Sequence, residues 1–258
     1  MRRRLIIAMV AFAIVGDARS IVSAGSATDD QARANAAIEA FGGQMGELGF
    51  ESTGPPDQDE DTDDFGPCFE GVGTVMTASQ EPVEGETARA FSDELSRTPT
   101  ALPAGTSDTK PDDEAGDEPE LDADGEFAAA IVITFDETHR DAAEGFVTRF
   151  GSDEMATCFE QEISDEVAGG GDSTVPEGYE LTVDVAADSD LGIGDHSGQL
   201  VLTVDLTMMG FELDYSVRYL VAATDRSLVV LLHGTTGAID AVMDPEVELT
   251  MIVEELAG

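Results

Sequence analysis

The stretch GQLVLTVDLTMMGFELDYSVRYLVAATDRSLVVLLHG, residues 198–234, decides the fold. Leu200, Leu202, Val204 and Leu206 stand at every second position, and Phe211, Leu213, Tyr215, Val217, Tyr219 and Val221 repeat the pattern after a short break. A period of two puts one set of side chains on a single face of a β-strand. Leu228 to Leu232 follows, apolar at every position. The connections Met208-Met209-Gly210 and Thr224-Asp225-Arg226 are too short for a crossover, so they join antiparallel neighbours. Leu181, Val183 and Val185 alternate in the same way upstream and complete a four-strand meander. Its apolar face requires a layer of helices.

Working outward, Asp244-Pro245-Glu246 supplies an N-cap, a first-turn proline and an acidic first turn for a last helix bearing Leu249, Ile252, Val253 and Leu256. Upstream, FAAAIVITF (127–135) is a nearly continuous apolar run of strand length, which predicts a central strand. Thr138-His139-Arg140-Asp141 opens a helix with Ala142, Phe146 and Phe150 on one face. Ser152 caps the next, with Met155, Phe159, Ile163 and Val167 in line and Cys158 beside them, and Gly169-Gly170-Gly171 ends it. Thr28-Asp29-Asp30-Gln31 reads as a capping box before a helix with Ala34, Ile38, Phe41, Met45 and Leu48. A short helix is also expected from Glu86 to Arg97, through Ala88, Phe91 and Leu95. The fold class is therefore α+β: an antiparallel sheet, made of the C-terminal four-strand meander plus an earlier central strand, covered by helices.

Two acidic runs, 51–64 and 103–126, hold almost no apolar side chains and cannot offset their ordering entropy by burial. Both read as loops or linkers. The expected organisation is a signal peptide at 1–24, an N-terminal helical segment at 25–102, an acidic linker at 103–126 and an α+β domain at 127–258. Residues 25–258 form one disulfide-linked domain in this reading.

Met1-Arg2-Arg3-Arg4, the apolar run Leu5 to Gly16 and the small, polar stretch Asp17 to Ala27 follow the three-part order of a secretory signal, with cleavage expected after Ala24. As a helix the apolar run spans roughly 18 Å against a hydrocarbon core of about 30 Å, too short for a stable membrane span. No Cys follows it to carry a lipid. The chain has 258 residues and a formal net charge of −43, and loss of residues 1–24 removes four Arg against one Asp. Such a surface repels nucleic acid and anionic lipid. It also repels itself and is eased by salt, which suits a saline or alkaline setting. Lys110 is the only lysine.

Cys68 and Cys158 are the only cysteines, and an even count in an exported chain favours a disulfide. The closed loop of about 90 residues corresponds to roughly 4–5 kcal/mol in the chain-entropy account.

The order of these features resembles that of small exported actinobacterial proteins: leader, N-terminal helix, Cys68-Phe69-Glu70-Gly71, apolar strand, helix 140–150, Cys158-Phe159-Glu160, then Leu191-Gly192-Ile193-Gly194-Asp195-His196-Ser197 before the meander. In particular it is similar to the PknH-like extracellular sensor domains and their stand-alone lipoprotein relatives, over roughly residues 28–258. The resemblance implies a disulfide-bearing α+β domain whose cleft binds a ligand rather than catalysing. This chain departs from that pattern in having one possible disulfide where two are typical, and in lacking a lipobox and a kinase domain.

Candidate chemistry is sparse. Residues 120–127 (ELDADGEF) place acids and a glycine as in the first half of a calcium loop, but Ile131 stands where the bidentate Glu belongs, so a linker entering a strand is the better reading. Asp195-His196-Ser197 holds the residue types of a hydrolase triad, yet sequence neighbours cannot stack as one, and a turn before a strand is expected. His139, His196 and His233 sit at no metal-ligand spacing. No catalytic residue, cofactor or metal site is predicted. The expected role is an exported, non-enzymatic ligand-binding or sensor-like domain whose partner is a small molecule or an envelope component, with the cleft between the meander and its covering helices. The alternatives are an exported hydrolase assembled from distant acids such as Asp136, Glu137, Asp195 and Asp205, and a structural acidic envelope protein.

Overall fold

The structure, a computed structural model, describes residues 27–54, 68, 85–98, 125–169, 179–208, 211–237 and 239–257. The leader lies outside them, as does most of both acidic runs. Among the described residues four helices pack on an antiparallel sheet of eight strands. The helices are α1 (Ala27–Glu47), α2 (Arg140–Phe150), α3 (Asp153–Gly169) and α4 (Pro245–Ala257). The strands are β1 (Glu51–Gly54), β2 (Glu86–Phe91), β3 (Glu94–Arg97), β4 (Gly125–Phe135), β5 (Tyr179–Asp188), β6 (His196–Met208), β7 (Phe211–Thr224) and β8 (Ser227–Thr236).

The meander β5–β8 forms as its alternation predicts, in unbroken antiparallel register from Tyr179↔Met208 through Thr224↔Ser227. Asp225, with φ 47°, turns the β7–β8 hairpin. β4 then docks on β8 over ten residue pairs, from Gly125↔Thr236 to Thr134↔Ser227. β4 and β8 are apolar on both faces because both faces are covered. Ile131, Ile133, Phe135, Val230 and Leu232 meet α2 and α3, while Ala130, Val132, Val229 and Leu231 meet α1 and α4. Each fully buried Ile, Leu or Val of this kind contributes about 1.5–3 kcal/mol.

The expected helix over Glu86–Arg97 is instead two strands, β2 and β3, both on the same edge of β4. Ala88, Ala90 and Ser92 are buried at a period of two, but the next buried residue is Leu95, one position out of step. The step is a bulge at Ser92-Asp93. The Ser92 N–H donates to the Ala130 carbonyl (2.9 Å), and the Ser92 hydroxyl accepts the Ala130 N–H (2.9 Å), standing in for a backbone carbonyl. The shift turned a strand period into something close to a helical one, and pairing with the open edge of β4 outweighed local propensity. Both acidic runs are also shorter than expected. Glu51–Gly54 forms β1 against β3, and Gly125-Glu126 already belongs to β4.

Helix ends follow the sequence in part. The Ser152 hydroxyl accepts the Met155 N–H at 3.2 Å, and Asp244 Oδ1 accepts the Glu246 N–H at 3.1 Å. At α2 the anchor is Asp136 rather than Thr138: its Oδ1 accepts the N–H groups of Thr138 (2.8 Å) and His139 (3.0 Å). At α1 the Gln31 carboxamide donates to the Arg89 carbonyl of β2 (2.7 Å), so this side chain ties helix to sheet. Where α2 turns into α3, Gly151 lies against backbone, and a Cβ there would come within 2.7 Å of the Asp188 carbonyl.

Cys68 and Cys158 form the disulfide, with Cα atoms 5.7 Å apart, and fasten residue 68 to α3 in the core. Cys68→Ser combined with Cys158→Ser is expected to lower unfolding stability by about 2–5 kcal/mol, readable as an earlier urea midpoint. An unchanged midpoint would mean that the closed loop adds nothing.

Candidate functional site

Glu126, the last residue of the second acidic run, stands in β4 and is only 1 % exposed. Its row of the sheet explains how. Glu126 pairs with Thr235 of β8 and Arg97 of β3, and the His233 imidazole is its diagonal neighbour on the same face. Oε1 accepts the Met243 N–H (3.0 Å) and pairs with His233 Nε2 (2.9 Å). Oε2 accepts the Val242 N–H (3.1 Å) and one Arg97 N–H (3.4 Å). Burial pushes this carboxyl up, but the two backbone donors and His233 outweigh it and hold Glu126 below the usual carboxylate range. Burial likewise keeps His233 below the ordinary imidazole range, against the pull of Glu126. His233 is thus a neutral donor at pH 7, and the cluster is a clamp that seats residues 242–243, and with them α4, on the sheet. With four internal donors on its carboxylate, Glu126 has no spare oxygen for a calcium ion. Of the suspected calcium loop, residues 120–127, only Gly125, Glu126 and Phe127 lie among the described residues.

A second buried acid, Asp30 of α1, gathers Arg33 (2.7 Å), Arg226 (2.9 Å) and the Thr87 hydroxyl (3.0 Å). Burial works against its charge, and these donors bring it below the usual range all the same. It joins α1 to β2 and to the β7–β8 hairpin. Glu248 of α4 differs: Gln44 donates to Oε1 (2.8 Å), Oε2 is buried with no hydrogen-bond partner, and burial pushes this carboxyl up.

His139 and the Asp-His-Ser segment are held by their own turns and neighbouring elements. The Ser197 hydroxyl accepts the N–H groups of Leu191 (3.0 Å) and Ile193 (3.2 Å). The Asp195 N–H donates to the Ala223 carbonyl (2.8 Å), and Asp195 Oδ2 accepts the Asp225 N–H (2.9 Å). Gly194, with φ 65°, lets the loop pass where a Cβ would lie 2.6 Å from that same carbonyl. The His196 Nε2 faces Glu144 at 3.6 Å. Asp195, His196 and Ser197 therefore point to three different partners, as a turn requires and a triad forbids. His139 has a partner that sequence spacing did not reveal: its Nδ1 lies 2.8 Å from Asp136 Oδ1. Hydrogen bonds from the Thr138 hydroxyl and from His139 bring the Asp136 carboxyl down to about 2.

The four distant acids do not all come together. Asp195 precedes β6, whereas Asp205 lies nine residues along it past His196, about 30 Å away at strand rise. Arg140 lies between Asp195 (3.8 Å) and Asp225 (3.8 Å), and Asp205 stands opposite Asp214 in the next strand. Among the described residues no group of three His, Cys, Asp or Glu side chains could hold a metal ion, and no helix is long and apolar enough to cross a membrane.

The expected cleft between the meander and its helices is filled, among the described residues, by Phe146, Phe150 and Met155, with Phe159 and Ile163 at its margin. At its far end Phe127 stacks on Tyr215 (6.0 Å) and Phe159 meets Tyr219 edge-on (6.2 Å). The Tyr215 hydroxyl is buried there without a hydrogen-bond partner, and burial, helped by the charge of Glu94, pushes its phenol up. The opposite face is covered unevenly. α1 and α4 lie over β2, β4, β8 and part of β7, while Thr182, Asp184 and Ala186 of β5, with Asp205 and Asp214 beyond, are exposed. Cross-strand register lines them up in rows: Thr182, Asp205, Asp214; then Asp184, Thr203, Ser216, Thr235; then Ala186, Val201, Arg218, His233. Arg218 reaches Gln199 (2.7 Å) and Glu246 of α4 (2.7 Å), so α4 forms one wall of this polar shelf, with Val247 on the same first turn 54 % exposed.

No protein-family model, no curated protein and no solved structure matches the chain.

The buried acids have opposite pH signatures. Glu126 is lowered on folding, so its contribution is present above the unfolded carboxylate pKa and lost as pH falls through the folded one. Glu126→Gln is accordingly expected to destabilise at neutral pH and to flatten the acid limb of a plot of stability against pH. Glu248 is raised on folding, so it opposes folding once pH exceeds its unfolded value of about 4.3. Glu248→Gln should raise Tm at pH 7, with the gain vanishing toward pH 4. Thermal melts across that range check both, and a Glu248→Gln gain that persists unchanged at pH 4 would refute the charge argument.

Proposed function

We propose that this chain is an extracytoplasmic, non-catalytic binding module, sensor-like in organisation, which engages an envelope component through the open polar face of β5, β6 and the first half of β7. The observation that carries this reading is the uneven cover of the sheet. Among the described residues helices cover both faces of β4 and β8, whereas this face is left to solvent with alternating Asp, Thr and Ser side chains and one helical wall. A rigid sheet with short polar side chains loses little conformational entropy on contact, which suits recognition. The leader and the disulfide between Cys68 and Cys158 support a location in an oxidising, extracytoplasmic compartment. The likeness to the PknH-like sensor domains supports the same role through element order alone.

Asp205 and Asp214 face each other on the exposed shelf, so reversing both charges leaves the core untouched. The mature protein is expected to co-sediment with cell envelopes of the producing organism, and Asp205→Lys with Asp214→Lys to reduce the bound fraction about tenfold, the equivalent of 1.4 kcal/mol. Equal partition of the two proteins would sink this reading.

The Tyr215 hydroxyl favours a second reading, in which a small molecule bearing a hydrogen-bond acceptor enters beside Phe127. Native mass spectrometry of the mature protein distinguishes the two. A retained ligand that Tyr215→Phe loses supports the small-molecule site. A bare protein that Tyr215→Phe only stabilises leaves the hydroxyl as an unsatisfied core group.

A further inference from the structure

We propose that the outer edge of β5 accepts a ninth strand: an extended segment of a partner polypeptide in which basic and apolar residues alternate. The proposal rests on the shelf as a binding surface and specifies what lies along its rim. Among the described residues the two ends of the sheet are built differently. β1, at one end, is four residues long and its pairing is broken by a bulge at Ser52/Gly54. β5, at the other, runs ten residues in continuous register with β6, with no bulge, no proline and no basic residue. Natural sheets blunt long edges with bulges, prolines or lysines, because the unpaired N–H and C=O groups of an edge strand are a template for another chain. The only charged residues of β5 are acids.

Those acids choose the occupant. Asp184 and Asp188 are exposed on the shelf side, four residues apart, with Ala186 between them. A second copy of this chain paired edge to edge would bring like charges together in a molecule whose net charge is already −43, so self-association is opposed. A cationic strand is drawn to the same edge. On its other face β5 presents Val183, Val185 and Ala187 toward α3, where Phe159 and Ile163 are half-buried at the margin of the core. An added strand with basic residues at every second position, all on one face, and aliphatic residues on the other would pair with Asp184 and Asp188 and cover that apolar margin. Main-chain hydrogen bonds would supply the affinity and the alternating side chains the register, the logic of β-strand addition.

The test uses the mature protein and a synthetic decapeptide of alternating Lys and Val. Two control peptides accompany it: one with Glu in place of Lys, and one N-methylated at every residue so that neither edge can donate. The Lys-Val peptide is expected to bind and to slow amide exchange in residues 182–188 at least ~10-fold at saturation. The N-methylated peptide should lose that binding, and Asp184→Lys with Asp188→Lys should transfer the preference to the Glu peptide. Absence of binding overturns the proposal, as does equal binding of the N-methylated peptide, or binding that leaves β5 exchange unchanged. Slowed β5 exchange that appears with rising protein concentration and no peptide would assign the edge to a second copy and overturn it too. None of these outcomes depends on Asp205 or Asp214, so the strand-addition idea can fail while the shelf remains the binding surface, and the reverse.

Discussion

The ladder between β4 and β8 is the interaction on which the rest of the molecule depends. It joins two strands that are apolar at nearly every position, and neither can be stable until both its faces are dry. That requirement recruits α2 and α3 to one side and α1 and α4 to the other. It extends the meander past β8 to a strand more than 90 residues earlier, and the far edge of β4 then templates β2 and β3. The disulfide acts on the same assembly by holding residue 68 against the α3 side of the core.

Acidic residues have two separate lives in this protein. Together they set its long-range repulsion. Among the described residues three are buried, and each is handled differently: Glu126 by four donors, Asp30 by two arginines and a hydroxyl, Glu248 by a single amide. A buried carboxylate is tolerated only where the fold supplies its donors. Glu126 and Asp30 therefore fasten helices to the sheet, whereas Glu248 works against folding once it is charged. The polar row that begins at Asp184 and runs through Thr203, Ser216 and Thr235 ends at Glu126 and Arg97, so the open shelf and the clamp are two ends of one line across the sheet.

Legibility in the sequence followed the range of the interaction involved. The meander, the β4 run, the Ser152 and Asp244 caps and the cysteine pair were all readable, since each depends on a period of two, a local cap or a count. The β2–β3 segment was not, because the Ser92-Asp93 bulge shifts the buried positions by one and small alanines blur the pattern. The partners of His139 and His233 were missed for different reasons. Asp136 was three residues away and its turn geometry gave a usable signal, whereas Glu126 was 107 residues away and lay in a run that otherwise reads as solvated linker.

What the sequence determined by itself was the alternation of faces in the meander, the Ser152 and Asp244 helix caps and the acidity of the composition, because these follow from neighbouring residues and from residue counts. What only the tertiary structure decided was which faces are closed. Whether a strand is sealed on both sides, whether an acid is a solvated charge or a clamp, and which edge of the sheet stays open all depend on donors and apolar surfaces brought together from distant parts of the chain. No local period encodes that meeting, since the free energy that fixes it comes from burial and hydrogen bonding across the fold rather than along it.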